Sequence, residues 1–443
     1  MSLGEEVGPL SRSNARWLYI APSLLLFWII GNIDKLSISV IVTNHPFLQA
    51  MGMVGRPVEI GLLATAFTFA YGVCAFCWGF VVDRIGPRQT AMIGVSIWTL
   101  MMLLGGLSVS YGMLLTSRII LGIGESVLWA VSNRFVGNWF HREEKAKAIA
   151  AFAIGPNLGP AIGVPLVVAI LASGGWRWAF FVQAALSLLI CLPMFTWLTR
   201  DLPEQHPAAN QAERHYLQSG RSAAPVRGGE ATAEFRRLVA SPLYWLDVVN
   251  IVVSGMVFYG LGIWLPTYLE HARHFAPAQM AVWTSVTWLV AMGAVAASGI
   301  VADKLLRPAL ICLVEYLICG GALAVVAGTA NASLAAAMLA IGVGFGAGGF
   351  FELGQAILHR LGSPQALGRA AGIMGGLGTI IGGFTPTIIG FLVALSHGSF
   401  VGSILLMEVV IAVGFVCVGI IALHEARTFR PVAQTLTPGR GAL

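Results

Sequence analysis

Long apolar runs, each bounded by a short polar or turn-forming stretch, recur along the whole chain. Twelve are long enough to cross a bilayer, at about 18–42, 60–82, 91–110, 114–140, 148–172, 180–198, 243–268, 278–302, 309–330, 333–358, 370–395 and 400–423. A hydrocarbon core of about 30 Å needs roughly 20 apolar residues in helical form. The first run exceeds the roughly 7 to 15 apolar residues of a signal peptide. It is preceded by Glu5 and Glu6 and followed by no small-residue cleavage site, so the N-terminus is expected to be retained.

The apolar pattern is interrupted once at length. Residues 199–241 turn polar and charged, a composition that cannot sit in lipid, and leave six runs on each side. The expected division is a six-helix bundle at 1–198, a central loop at 199–241, and a second bundle with a tail at 242–443. The halves echo each other: Gly79-Phe-Val-Val-Asp83-Arg84 recurs 220 residues later as Gly299-Ile-Val-Ala-Asp303-Lys304, and the Gly-rich stretches 155–165 and 375–386 correspond. The expected fold class is an all-α membrane protein, twelve helices in two pseudo-symmetric bundles with the working site between them.

Composition agrees, with 57% hydrophobic and 10% charged residues, where a soluble domain carries roughly 25% charged. Charge then sets an orientation, because Lys and Arg stay preferentially on the cytoplasmic side. With both termini cytoplasmic, that side holds twenty of the 26 Lys and Arg residues, among them Arg12, Arg430 and Arg440. Only Arg56, Arg177 and Arg273 fall outside, and Lys35, Arg118 and Arg134 fall within runs. The net charge of +6 is thus accounted for by topology, and no nucleic-acid partner is expected. The six cysteines all lie inside apolar runs; Cys74 and Cys77 make a C-x-x-C by spacing alone, with no second pair and no nearby His. No metal, cofactor or partner chain is expected, and a monomer is. No phosphate-binding loop is present, which excludes an ATP-driven pump, and no Ser/His/Asp or cofactor constellation suggests an enzyme.

An ionisable group at mid-bilayer costs at least about 2.5–3.5 kcal/mol, so each one inside a run is a functional candidate. Asp34 and Lys35 fall in the first run, Arg118 and Glu125 in the fourth, and Glu315, Glu352 and Glu408 in the second half. Arg118 and Glu125 are seven residues apart, about 10.5 Å along a helix and within roughly 20° of one face. Gly122 between them is expected to leave bare wall, with room for a ligand or for the Asp34/Lys35 pair. All nine histidines lie in loops or at run ends, so proton movement within the membrane falls to carboxylates, with Asp34 and Glu125 the natural pair. Arg118 is the expected principal cation for a bound anion, with Lys35 assisting or held by Asp34. Tyr71, Asn157, Glu352 and Gln355 are further candidates for substrate contact. Glu315 and Glu408 are expected to face a water-filled crevice.

Gly79, Asp83, Arg84, Gly86 and Arg88 match the G-x-x-x-D-R-x-G-x-R loop, and the chain here resembles the major facilitator superfamily, with Asp303 and Lys304 as a weaker second copy. The stretches "GNIDKLSISV" (31–40), "RIILGIGES" (118–126), "NWFHREEKAKAIA" (138–150), "GWRWAFF" (175–181) and "WLPTYL" (264–269) narrow the resemblance to its anion:cation symporter family. That resemblance covers nearly all twelve runs. It implies transport of organic anions, commonly with protons, in a bacterial inner membrane, with coupling at Asp34 and Glu125 and Arg118 in the same polar cavity. Asp83, with Arg84, Arg88, Arg134 and the second copy, is expected to act as a conformational latch, its carboxylate reaching helix N-termini of the other half. The chain departs from the family at Lys35, usually Arg, at Ala75, often Gln, and at Pro156, polar in some sugar-acid carriers. An ammonium lacks the bidentate grip of a guanidinium, so anion recognition is expected to differ, and with polar contacts removed at Ala75 and Pro156 a simpler carboxylate or sulfonate is favoured over a polyhydroxylated one. Two rivals stay open: a proton-driven antiporter, suggested by Gly155-x-x-x-Gly159-Pro160-x-x-Gly163, and an uncoupled uniporter or nutrient sensor.

Overall fold

The computed structural model describes residues 13–220 and 228–428; Glu5, Glu6, Arg12, Arg221, Arg227, Arg430 and Arg440 lie outside them. Twelve helices are long and apolar enough to span a membrane, and they are numbered here as spans 1 to 12. Spans 1–6 are Arg16–Ile41, Pro57–Ile85, Pro87–Gly106, Tyr111–Trp139, Lys145–Gly174 and Trp176–Leu198. Spans 7–12 are Pro242–Ala272, Pro277–Ala302, Pro308–Gly328, Ala332–Leu361, Ala366–Leu395 and Val401–Arg427. The expected runs are thus met one for one, with ends shifted by a few residues. Each set of six packs as a bundle, and the bundles meet through spans 1 and 7, 2 and 11, and 5 and 8.

Local chemistry explains where the helices begin. Spans 2, 3, 7, 8 and 9 each start on a proline, whose missing N–H is one the first helical turn leaves unpaired anyway. Spans 4 and 10 are capped by side chains, Ser110 accepting from the Met113 amide and Asn331 from the Leu334 amide. Gly86 joins spans 2 and 3 in a single residue at φ 83°, where a side chain would be strained and would also strike the Asp201 carboxylate. Three helices are interrupted beside the site described below. Span 4 breaks at Ser126, immediately after Glu125, span 5 at Ile154 ahead of Pro156, and span 11 at Gly383 and Phe384 ahead of Pro386.

Twelve alternating spans put the start of span 1 and the end of span 12 on one side, the terminal side. On the opposite, far side the two halves are pressed together. A Cβ on Gly61 would collide with the Pro386 carbonyl, and one on Gly390 with that of Pro57. Thr387 donates to Thr65 at 2.8 Å, and Thr68 approaches the Gly383 carbonyl at 3.2 Å. Along span 2 the named contacts with span 11 run from Pro57 to Phe76 and go no further. Beyond them Gly79 borders open space and Phe80, Asp83 and Arg84 are exposed. The molecule is closed on the far side and open on the terminal side.

The central loop, expected as a polar and charged stretch outside the lipid, carries among its described residues two α-helices, Gln211–Ser219 and Gly228–Val239. The first is tied to the N-terminal half. Glu213, fully buried, accepts from Ser13 Oγ at 2.6 Å and from the Ala15 amide at 3.1 Å, and pairs with Arg16 Nη1 at 2.6 Å. Arg16 also grips Glu144 with two bonds, at 2.9 and 3.1 Å. The second helix packs Leu238 and Phe235 with Tyr244, Leu358 and Met374 of the other half.

Candidate functional site

Between the halves lies a cavity of about 940 Å³, counting the open solvent at its mouth. Spans 1, 2, 4 and 5 line it from one half and spans 7, 8, 10 and 11 from the other. Lys35, Tyr71, Asn157 and Glu352, all expected at the substrate, line it. Pro156 does too, where a polar residue would have widened the hydrogen-bonding choice. Much of the remaining wall is aromatic. Trp28 meets Trp129 edge to face at 4.6 Å between ring centroids and stacks on Phe152 at 5.8 Å. Nothing in the apolar runs distinguished these rings from core packing, so the sequence reading passed over them.

Lys35 is 5% exposed and sends its ammonium over the Tyr71 ring, 4.2 Å from the centroid. A cation held against an aromatic face keeps its charge solvated by the ring quadrupole while remaining available to an anion. Asp34, the next residue, points about 100° away around the helix. It reaches Ser187 of span 6, whose hydroxyl is 3.3 Å from Oδ2, and its Oδ1 is buried without a partner. Asp34 therefore does not hold Lys35: among the described residues no ion pair within 4 Å joins them.

Arg118 and Gln355, expected at the substrate, do not line the cavity. The Arg118 guanidinium is 1% exposed, lies 5.1 Å from the Phe67 ring centre, and makes one long contact, 3.4 Å, to the Lys35 carbonyl. Neither Arg118 nor Phe67 is part of the cavity wall. Gln355 falls one turn beyond Glu352 toward the terminal side. The bare wall expected at Gly122 is also absent: a Cβ there would strike the Phe67 carbonyl, so the glycine serves a close crossing of spans 2 and 4.

Glu125 is fully buried at the break in span 4, and neither carboxylate oxygen has a hydrogen-bond partner. Arg118 Nε and Nη1 are unpartnered in the same way. Asp34, Lys35, Arg118 and Glu125 thus form a buried group of opposite charges, close enough to feel one another and joined by no direct pair. Such a group can change its proton count without first breaking a salt bridge.

The residues expected as a latch divide into two sets. Asp83 faces Arg134 at 3.4 Å, both well exposed and both in the first half. Arg88 is committed elsewhere, donating to the Phe195 and Thr196 carbonyls at 2.9 and 2.6 Å, with its amide on Asp201 at 2.7 Å. Gly86 and Arg88 therefore secure the end of span 6, within the first half. Arg84 and Lys304 are exposed; the side chain of Asp303 lies outside the described residues.

The second half has its own polar group. Asp247, fully buried and overlooked in the sequence although it interrupts an apolar run, accepts from Asn250 at 3.3 Å. Asn250 accepts in turn from the Tyr316 hydroxyl at 2.9 Å. Glu315 is 2% exposed and hydrogen-bonded to Ser298, which corrects the expectation that it faces a wet crevice. The six cysteines are all free, and no metal-binding cluster occurs among the described residues.

Comparison with known proteins gives a consistent result. The chain is 24% identical over 384 residues to the probable L-galactonate transporter of Escherichia coli, covering 84% of this chain and 83% of that one. It is 27% identical over 381 residues to the probable sulfoacetate transporter of Cupriavidus necator, covering 84% and 86%. Among solved structures, a bacterial homologue of the human lysosomal transporter Spinster superposes with a TM-score of 0.78 at 17% identity, over 95% of this chain and 99% of that one. A D-xylose–proton symporter superposes with a TM-score of 0.70 at 13% identity, over 95% and 99%; likenesses this distant establish the fold alone. Residues 27–386 match the family model of the Major Facilitator Superfamily, and the chain belongs to that family of membrane transporters.

Proposed function

We propose that the protein carries a small organic anion by proton-coupled symport, through alternating access to the cavity between its halves. The observation that carries this reading is the buried group of Asp34, Lys35, Arg118 and Glu125, of which Lys35 lines the cavity and the two carboxylates make no ion pair within 4 Å among the described residues. The names of the relatives support the anion: galactonate and sulfoacetate are both acids. In this reading Lys35 receives the acidic group of the substrate. Arg118, one layer deeper, sets the electrostatic balance under which Asp34 and Glu125 take up and release protons. Loading Lys35 with an anion alters the field at Glu125, so substrate binding and proton affinity are linked through one charge cluster.

The bundles of spans 1–6 and spans 7–12 move as two bodies about the central loop, with the close contacts of spans 2 and 11 opening on the far side. Asp83 and Arg134 are free to engage the second half once the terminal side closes. By the distribution of Lys and Arg the terminal side is cytoplasmic, and the bacterial relatives support the inner membrane as its location. An uncoupled carrier would have no use for two unpaired carboxylates at this depth, and an antiporter has only Pro160 in its favour. Purified protein in proteoliposomes tests the reading: an inward proton gradient drives accumulation of an anionic substrate, and a protonophore collapses it. Uptake indifferent to both identifies a uniporter.

A further inference from the structure

The cavity wall contains two charged side chains among the described residues, of opposite sign and from opposite halves: Lys35 on span 1 and Glu352 on span 10. Among the described residues neither makes an ion pair within 4 Å. No ion pair within 4 Å links them, and Glu352 has no hydrogen bond from the described residues. A plain monoanion seated on Lys35 would leave the Glu352 carboxylate unpaired in the same enclosed space and would be repelled by it. An uncompensated charge in a low-dielectric cavity is costly. The aromatic faces of Trp28, Trp129 and Phe152 share that space, and carboxylate plus aromatic faces is a chemistry that selects ammonium groups.

Resting on the reading of this cavity as an anion site, we propose that the substrate is bipolar: a carboxylate or sulfonate bound by Lys35, with a protonated or methylated amine several atoms away bound by Glu352 and the neighbouring rings. Glu352 is then a specificity-determining residue that admits acids bearing a cationic end and disfavours plain acids. The two halves each hold one end of the substrate, so a bipolar ligand bridges them as a plain acid does not.

The test is titration of the purified full chain, followed by tryptophan fluorescence and calorimetry, with three sets of probes. These are ω-aminocarboxylates of three to six carbons, the unsubstituted carboxylates of equal length, and gluconate. At least one amino acid should bind about tenfold more tightly than its unsubstituted partner. Glu352→Gln should cut that preference to below about threefold, and Glu352→Asp should keep part of it. Equal or tighter binding of the unsubstituted acids overturns the proposal, as does a preference untouched by Glu352→Gln. Tightest binding by gluconate, lost in Glu352→Gln, overturns it in favour of hydroxyl recognition. In all three cases binding that is lost in Lys35→Ala leaves the organic-anion reading standing. Binding of the ω-aminocarboxylates that is indifferent to Lys35→Ala overturns both.

Discussion

Glu125 sits where span 4 breaks, buried and without a hydrogen-bond donor of its own, one layer behind a cavity that Lys35 enters. A glutamine at this position keeps shape and hydrogen bonding but cannot exchange a proton. Glu125→Gln should therefore abolish gradient-driven accumulation while leaving counterflow of labelled substrate; equal loss of both would make Glu125 structural. Lys35→Ala should weaken anion binding by about tenfold or more, since it removes the charge that faces the cavity. Arg118 differs because it is buried and outside the cavity wall: Arg118→Lys keeps the charge but loses the planar fork, and should only partly restore transport lost in Arg118→Ala. Wild-type affinity in purified Arg118→Ala would show that the guanidinium acts on the carboxylates and never on the anion.

At the scale of the helices, the far-side seal depends on glycines that let backbones touch. Gly61→Val places a branched side chain against the Pro386 carbonyl, so spans 2 and 11 cannot close. Spin labels at positions 54 and 395, in a background without the six native cysteines, should report a longer and broader distance in Gly61→Val than in the parent. An unchanged distance would mean that this contact does not seal the molecule. The start of span 1 depends instead on the central loop. Replacing Glu213 by Gln removes a charged acceptor from two backbone amides and from Arg16, a loss of about 1–3 kcal/mol, and should speed hydrogen exchange at residues 15–18. Burial pushes the neighbouring Glu144 carboxyl up, but its hydrogen bonds and proximity to Arg16 outweigh this and hold it below the ordinary glutamate range. A lowered carboxylate contributes stability that is present above the unfolded value, about 4.3, and is lost as pH falls through the folded one. The same amides should accordingly lose protection below about pH 4, and an Arg16→Met variant should lack that pH dependence.

For the molecule as a whole, the twelve spans were legible because lipid demands long apolar helices, and the twofold repeat because Asp83 and Asp303 carry the same local punctuation. The cavity was legible only in part. Lys35, Tyr71, Asn157 and Glu352 stood out as polar residues in apolar runs, and they do line it. Arg118 and Gln355 stood out for the same reason and do not, because polarity gives no information on which ring or turn intervenes. Gly122 shows the same limit: a glycine announces a close approach but not whether the approaching atom is ligand or backbone. Asp247 was written plainly in the sequence, and the Trp28, Trp129 and Phe152 wall could not be separated from ordinary packing. Even the far-closed state depends on pairs such as Gly61 and Pro386, more than three hundred residues apart, that no local pattern announces.

The central claim is that two buried carboxylates couple protons to the movement of an organic acid across the membrane. Its most direct measurement is pH inside proteoliposomes, followed with an entrapped dye, when substrate is added outside in the absence of any imposed gradient. Inward substrate movement should acidify the lumen of vesicles carrying the parent protein and leave it unchanged with Glu125→Gln, although both take up labelled substrate by exchange. Substrate entry through the parent without acidification would contradict the claim.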